Sequence, residues 1–253
     1  MAQGKEVAVK GKNEVASNDP YKVEASGGSA LFFPRIGLFS QDQTEGKGKA
    51  MRVTTEGGIF FLETQSEEVN EETGKKDFVK DEIGKEIEVK ILYKRYQLRM
   101  YDGNTEEFTS SPIYDDENEK VQLYCKKQKT DEGTPKELIE RYSTLDGKTG
   151  KKKSALELQR VLYVEYDGEI HQMNLRGSSM FALLKYEREV GNPTQYLTKI
   201  VSEFMEKGTN QWYKMTFSIK RKLTKAEETK KTKQQEELLA KIEEHKKATS
   251  DDF

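Results

Sequence analysis

The chain has 253 residues, with 43 Lys plus Arg against 45 Asp plus Glu, a formal charge of −2. Charged residues make up 35% and hydrophobic types only 34%, so the core must be modest and much of the chain solvated surface, loop or tail. The longest apolar runs, such as 180–184, fall far short of the ~20 residues needed to span a bilayer. Residues 1–12 hold no apolar signal core, and the lone Cys125 has no internal disulfide partner. The chain therefore reads as a soluble, cytoplasmic protein with no membrane contact.

Several chemistries are excluded by residue type. The only histidines are His171 and His245, and no CxxC or HExxH spacing exists, so no metal site is expected. There is no GxSxG elbow. Gly147-Lys148-Thr149 is not a phosphate loop, because Tyr142 stands where the first glycine would fall. No catalytic residue and no cofactor is predicted.

Residues 1–28 are polar, with few apolar anchors, and read as a mobile arm. Residues 30–39 form the first buried-looking stretch, confined by Pro34 to an edge or a bend. Residues 51–53 and 59–62 flank Gly57-Gly58, which suggests a hairpin or a strand with a close backbone approach. The Glu-rich stretch 63–86 reads as a long loop or an extended hairpin tip. Residues 87–101 form the clearest strand. Ile87, Val89, Ile91 and Tyr93 alternate, then the phase slips to Tyr96, Leu98 and Met100. A strand that changes its buried face in this way needs a bulge or strong coiling near residues 92–95, with Asp102-Gly103-Asn104 as the following turn.

Further along, Val121, Leu123 and Cys125 alternate, residues 135–142 suit a short helix, and 146–153 is a Gly/Lys loop. Residues 160–175 read as a hairpin turning at Asp167-Gly168. Ser178 or Ser179 is expected to cap a helix running to Val190, stopped by Gly191-Asn192-Pro193. Residues 194–207 fit either a helix or, through Gly208-Thr209-Asn210, one arm of a hairpin with 211–221; strand propensity favours the hairpin. Residues 224–247 form a solvated helix, capped by Thr224 and Glu227, whose only sticky face is Leu238, Leu239 and Ile242.

Aromatic and basic residues recur together on three predicted strands: Tyr93, Lys94, Arg95, Tyr96, Arg99 and Tyr101; Tyr124 and Lys126; Trp212, Lys214, Phe217, Lys220 and Arg221. Single-stranded nucleic acid is gripped by this mixture, because bases stack on aromatic faces for ~1–3 kcal/mol each while cations neutralise the phosphates between them. Taken singly, each aromatic also suits an ordinary core position. The sequence closes in Asp251, Asp252 and Phe253, a ring and carboxylates at one point, which suits a basic-rimmed apolar pocket on a partner.

The order strand, bent strand, strand, short helix, hairpin, followed by an acidic end closing in Phe253, resembles the OB-fold single-stranded DNA-binding proteins of bacteria and phages. No proline precedes Phe253 here, and a charged helix stands where many members carry a flexible linker. The resemblance implies a mostly β (α+β) fold, an OB-like small barrel with insertions at 63–86 and 132–153 plus a C-terminal helical extension. It divides the chain into an arm (1–28), a DNA-binding domain (29–222), a charged helix (223–248) and a tail tip (249–253). It implies non-catalytic binding of single-stranded DNA in phage or bacterial replication and recombination, with Asp251, Asp252 and Phe253 recruiting replication and recombination proteins. The rivals are a structural, scaffolding or adaptor protein of a phage and a nuclease. For the nuclease, Glu88-Val89-Lys90, with Asp77 or Asp81 upstream, resembles the ExK half of PD-(D/E)xK enzymes.

Overall fold

The computed structural model describes residues 33–39, 57–69, 76–102, 105, 107–126, 128–147, 149–208 and 210–250. The elements are β1 (Arg35–Phe39), β2 (Ile59–Val69), β3 (Lys76–Gly84), β4 (Glu86–Asp102), β5 (Glu107–Ser110), β6 (Val121–Cys125), β7 (Gln128–Gly133), α1 (Pro135–Arg141), β8 (Ser143–Leu145) and β9 (Lys152–Ser154). There follow β10 (Glu157–Tyr166), β11 (Glu169–Leu175), α2 (Gly177–Val190), a 3-10 turn (Pro193–Gln195), β12 (Tyr196–Lys207), β13 (Asn210–Lys222) and α3 (Lys225–Ser250). The fold is mostly β with a C-terminal helix, as the sequence suggests. The expected arm at 1–28, the strand at 51–53, the turn residues Gly103 and Asn104, and the tip Asp251, Asp252 and Phe253 lie outside the described residues.

One large sheet runs in the order β3-β2-β1-β11-β10-β4-β5-β6-β7, with β12 on β4 and β13 on β12. The β8–β9 ribbon stands apart. The path ends at β3 and at β7, so the described strands form no closed barrel. The reason lies in β4. It keeps β10 on one side along Lys90–Arg99, but on the other side it gives its first residues, Glu86–Lys90, to β12 and its last to β5. The sheet forks there instead of curling shut. β1 joins β11 in parallel through one register pair, Arg35 with Gln172.

The phase slip in β4 has the expected cause and an unexpected result. Opposite β10 the register jumps between Tyr163–Tyr93 and Val164–Ile91, which leaves Leu92 as the extra residue of a bulge. Leu162 and Val164 share one face of β10, and they pair with Lys94 and Ile91. Ile87, Val89 and Ile91 therefore lie on the same face as Tyr96, Leu98 and Met100. The strand does not change its buried face; the bulge absorbs the slip and keeps it. The opposite face carries Tyr93, Arg95, Gln97, Arg99 and Tyr101 in an unbroken alternation.

Residues 63–86 are not a long loop. β2 and β3 pair from Phe60–Gly84 to Val69–Lys76, the extended-hairpin alternative. Its charge density hid a real inward position, Glu63, which is buried because Arg35 and Lys80 both pair with it. The ambiguous stretch after the 3-10 turn is the hairpin β12–β13. The β10–β11 hairpin turns at Asp167 and Gly168, both at positive φ (50° and 88°), as a mirror-image two-residue turn demands.

Helices cover both faces of the sheet. On one face α2 places Leu183 and Tyr186 over Ile87, Val89, Ile91, Leu162, Val164 and Met173. The expected serine cap of α2 is absent: Arg176 is the N-cap, without a side-chain bond. The two serines serve β13 instead. Ser179 Oγ accepts from the Met215 N–H at 3.0 Å and Ser178 Oγ from the Trp212 indole N–H at 3.2 Å. On the other face α3 buries Leu238 and Ile242 against Phe33, Leu92, Val161 and Tyr163. Full burial of two such side chains stabilises by ~1.5–3 kcal/mol each, so this helix is docked, not merely solvated. Its Gln235 side chain donates to the Leu92 carbonyl at the bulge. A third cluster joins Leu98, Tyr114, Val121, Leu123, Leu138 and Leu156 under α1.

Candidate nucleic-acid interface

The residues singled out in the sequence fall into separate places. Tyr93, Arg95, Arg99 and Tyr101 share the α3-covered face of β4, whereas Lys94 and Tyr96 point to the α2 side. Pairing carries Tyr124 of β6 into the row of Arg99, through Ser110 of β5. Trp212, Lys214, Phe217, Lys220 and Arg221 sit on β13, which reaches β4 only through β12 and only at residues 86–90. From Lys90 to Arg99 the strand covers roughly 30 Å. One continuous groove through all three groups is not formed.

Most of the expected phosphate-binding cations already hold carboxylates. Lys94 pairs with Glu187 at 2.8 Å, Lys214 with Glu203 at 3.4 Å, and Lys220 with Glu88 at 3.0 Å. Lys126 pairs with Glu107. Arg95 donates to both oxygens of Asp115, at 2.8 and 3.2 Å, and to the Ile113 carbonyl at 2.7 Å. Arg221 forks onto Glu227 at 2.7 and 2.8 Å. That fork, with the Thr224 backbone and hydroxyl donors, holds the Glu227 carboxyl far below the usual carboxylate range. A phosphate would have to displace a carboxylate at each of these positions.

The aromatics of β13 are likewise occupied. Phe217 lies 6.1 Å from the Tyr186 ring in a stacked arrangement and packs on the main core. Trp212 is half-buried, its indole N–H bonded to Ser178. On β4, Tyr93 packs beneath α3, its hydroxyl donating to Asp115 at 3.3 Å. Tyr96 stacks on Tyr114 at 5.7 Å and receives the Arg160 guanidinium over its ring at 4.0 Å. The Tyr124 hydroxyl donates to Gln122.

One region of the sheet face is both aromatic and open. At the far end of β4, Tyr101 is 46% exposed and its ring lies 4.7 Å from that of Phe108. The Arg99 guanidinium sits 3.8 Å over Phe108. These rings edge a cavity of about 390 Å³ lined also by Met100, Ala155, Glu157, Gln159 and Arg176. Its floor is sheet, drawn from β4, β5 and β10, so its geometry is rigid. Phe108, Gln159 and Arg176 were not singled out in the sequence. A signal existed: with the bulge placed at Leu92, Arg99 falls opposite Glu157 and Gln97 opposite Gln159, a polar row shared by one face of two neighbouring strands. Glu88 and Lys90 of the ExK triplet are engaged by Lys220 and Glu165 respectively.

Among the described residues, no helix is long and apolar enough to cross a membrane, and no group of three or more His, Cys, Asp or Glu is placed to hold a metal ion. No protein-family model, curated protein or solved structure matches this chain.

Proposed function

We propose that this protein is a non-catalytic binder of single-stranded DNA, acting in replication or recombination, and that it binds through the face of β4, β5 and β10 around Arg99. The observation that carries this reading is the juxtaposition of Tyr101, Phe108 and Arg99 beside an open cavity on a rigid sheet. An aromatic pair supplies stacking, and Arg99 and Arg176 supply positive charge at the same edge. The OB-like resemblance and the recruitment of replication proteins by Asp251, Asp252 and Phe253 belong to the same proposal and rest on the sequence.

Arg99 and Arg176 line the cavity, and contacts from these two to phosphates correspond to a modest electrostatic dependence. For two phosphate contacts, log K against log salt has a slope of about −1.4, from ~0.7 per contact on single strands. Fluorescence anisotropy with labelled oligo-dT across a salt series tests this, with duplex of equal length as the control. Trp212 lies off this face, so its emission stays constant as oligo-dT saturates the protein. A flat salt response, tighter binding of duplex, or quenching of Trp212 would reject the site.

A further inference from the structure

We infer that the β8–β9 ribbon is the phosphate-binding arm of the site, with Lys151 and Lys153 holding successive phosphates of the single strand whose bases stack on Tyr101 and Phe108. The inference rests on the reading that the protein binds single strands, and it adds a backbone path beyond the cavity and the residues that line it.

The ribbon is the Gly/Lys loop of the sequence together with the two short strands that flank it. Residues 143–154 hold four lysines against one carboxylate, Asp146. That carboxylate is engaged inside the turn, where it accepts from the Thr149 N–H at 2.8 Å. The turn is closed by the Gly150 N–H to the Asp146 carbonyl at 2.8 Å and the Asp146 N–H to the Lys151 carbonyl at 2.9 Å. Its base is pinned to α1. The Ser143 and Ser154 hydroxyls both donate to the Ile139 carbonyl, at 2.6 and 3.1 Å, and the Ala155 N–H donates to the Tyr142 carbonyl at 3.0 Å. The lysines therefore stand on a fixed backbone, which lowers the ordering cost of binding.

Alternation divides the lysines between the two sides of the ribbon. Lys152 pairs with Glu140, and Ser154 bonds to α1, so this side of β9 is turned to the helix. Lys153, opposite Thr144, lies on the other side, and Lys151, at the entrance of the strand, shares that side. Both are exposed, and among the described residues neither has a carboxylate partner. Two residues apart on an extended chain, their α-carbons are about 7 Å apart, comparable with the step between phosphates of an extended single strand. The ribbon leads directly into the cavity, because Ala155 and Glu157, which follow β9, line it. From Ala155 back to Lys151 the chain covers at most ~14 Å, a path of roughly two nucleotides. The lining itself sets Arg99 and Arg176 against the carboxylate of Glu157, which offsets part of its charge; the ribbon supplies further cations where the strand leaves the rings.

The test is a salt series by anisotropy with labelled oligo-dT of about twelve nucleotides, a length that suits one such site. It compares the wild type, the double variant Lys151→Gln with Lys153→Gln, and Lys152→Gln. All three side chains are exposed, so each variant keeps its fold. With the ribbon engaged, two arginines and two lysines contact phosphates, and the wild-type slope of log K against log salt is about −2.8, at ~0.7 per contact. In the double variant the slope becomes shallower, about −1.4. A fourfold rise in salt then weakens wild-type binding about fiftyfold and the double variant about sevenfold. Lys152→Gln, turned to α1, keeps the wild-type slope. A wild-type slope near −1.4 overturns the arm and leaves the binding reading standing. A double variant with the wild-type slope also overturns it, and leaves those lysines only the task of keeping the ribbon's edges unpaired. An equal loss in Lys152→Gln overturns it too, because the effect would then not follow the side that faces the strand. Failure to bind any single strand removes the binding reading and the arm together.

Discussion

Ser178 and Ser179 show how a residue with the right chemistry for one task is taken by another. Both have the short hydroxyl that favours a helix start, and the sequence around them reads as a cap. The hydroxyls instead reach across to β13, where Ser179 accepts from the buried Met215 backbone. No pattern local to residues 177–190 encodes a partner more than thirty residues away, so this use was not legible. It has a measurable weight. Ser179→Ala leaves a buried N–H without its acceptor, which costs about 1–3 kcal/mol. Ordinary loss of a helix cap would be rescued by Asp or Asn at the same position, whereas the β13 contact is not restored by these longer, differently aimed side chains. Urea unfolding of Ser179→Ala, Ser179→Asp and Ser179→Asn separates the two roles. The cap at Thr224 was legible for the opposite reason. Its partner Glu227 lies three residues on, and the reciprocal bonds of 2.9 and 3.3 Å are present.

At the scale of elements, the bulge in β4 and the docking of α3 belong together. The change of hydrophobic phase along 87–100 gave away the bulge, because a period of two makes a single inserted residue visible. That the same face stays buried was not visible, since sequence alone does not show whether a slip is absorbed or expressed. Leu92 becomes a knob on the far face, and α3 settles over it. The thin stripe of the helix was also legible, but its destination was not, because thin stripes give no direction of approach. Burial now divides the stripe. Leu238 is 0% exposed and Leu239 is 39% exposed. Leu238→Ala therefore costs about 2–5 kcal/mol, while Leu239→Ala changes stability by no more than ~0.5 kcal/mol. Equal losses in chemical denaturation would mean that the helix is not seated on Phe33, Leu92 and Tyr163.

For the whole molecule, the composition anticipated the electrostatics better than the motifs did. With 43 basic and 45 acidic side chains in the sequence, carboxylates are plentiful, and among the described residues the expected basic strands are largely neutralised by their neighbours. What remains as a candidate site is small and is set by stacking geometry at one end of the sheet. The sheet is also unevenly sewn. The antiparallel seams β10–β4 and β10–β11 run through seven or more register pairs each, but β1 meets β11 at one, reinforced by the Gln172 N–H to Pro34 carbonyl bond of 2.8 Å. The three strands β1 to β3 are thus a flap hinged on a short seam, held down by Ile36 and Phe60 in the main core and by Leu38, Leu62 and Ile83 packed against it. Its amide protons should exchange with solvent deuterium through a partial opening, at lower free energy than those of β4 and β10, which wait for global unfolding. Uniform protection across both groups would show the seam to be as strong as the rest. With the expected hierarchy, the molecule has a built-in order of disassembly, in which the flap detaches while the strands beneath Arg99 and Gln159 keep their shape.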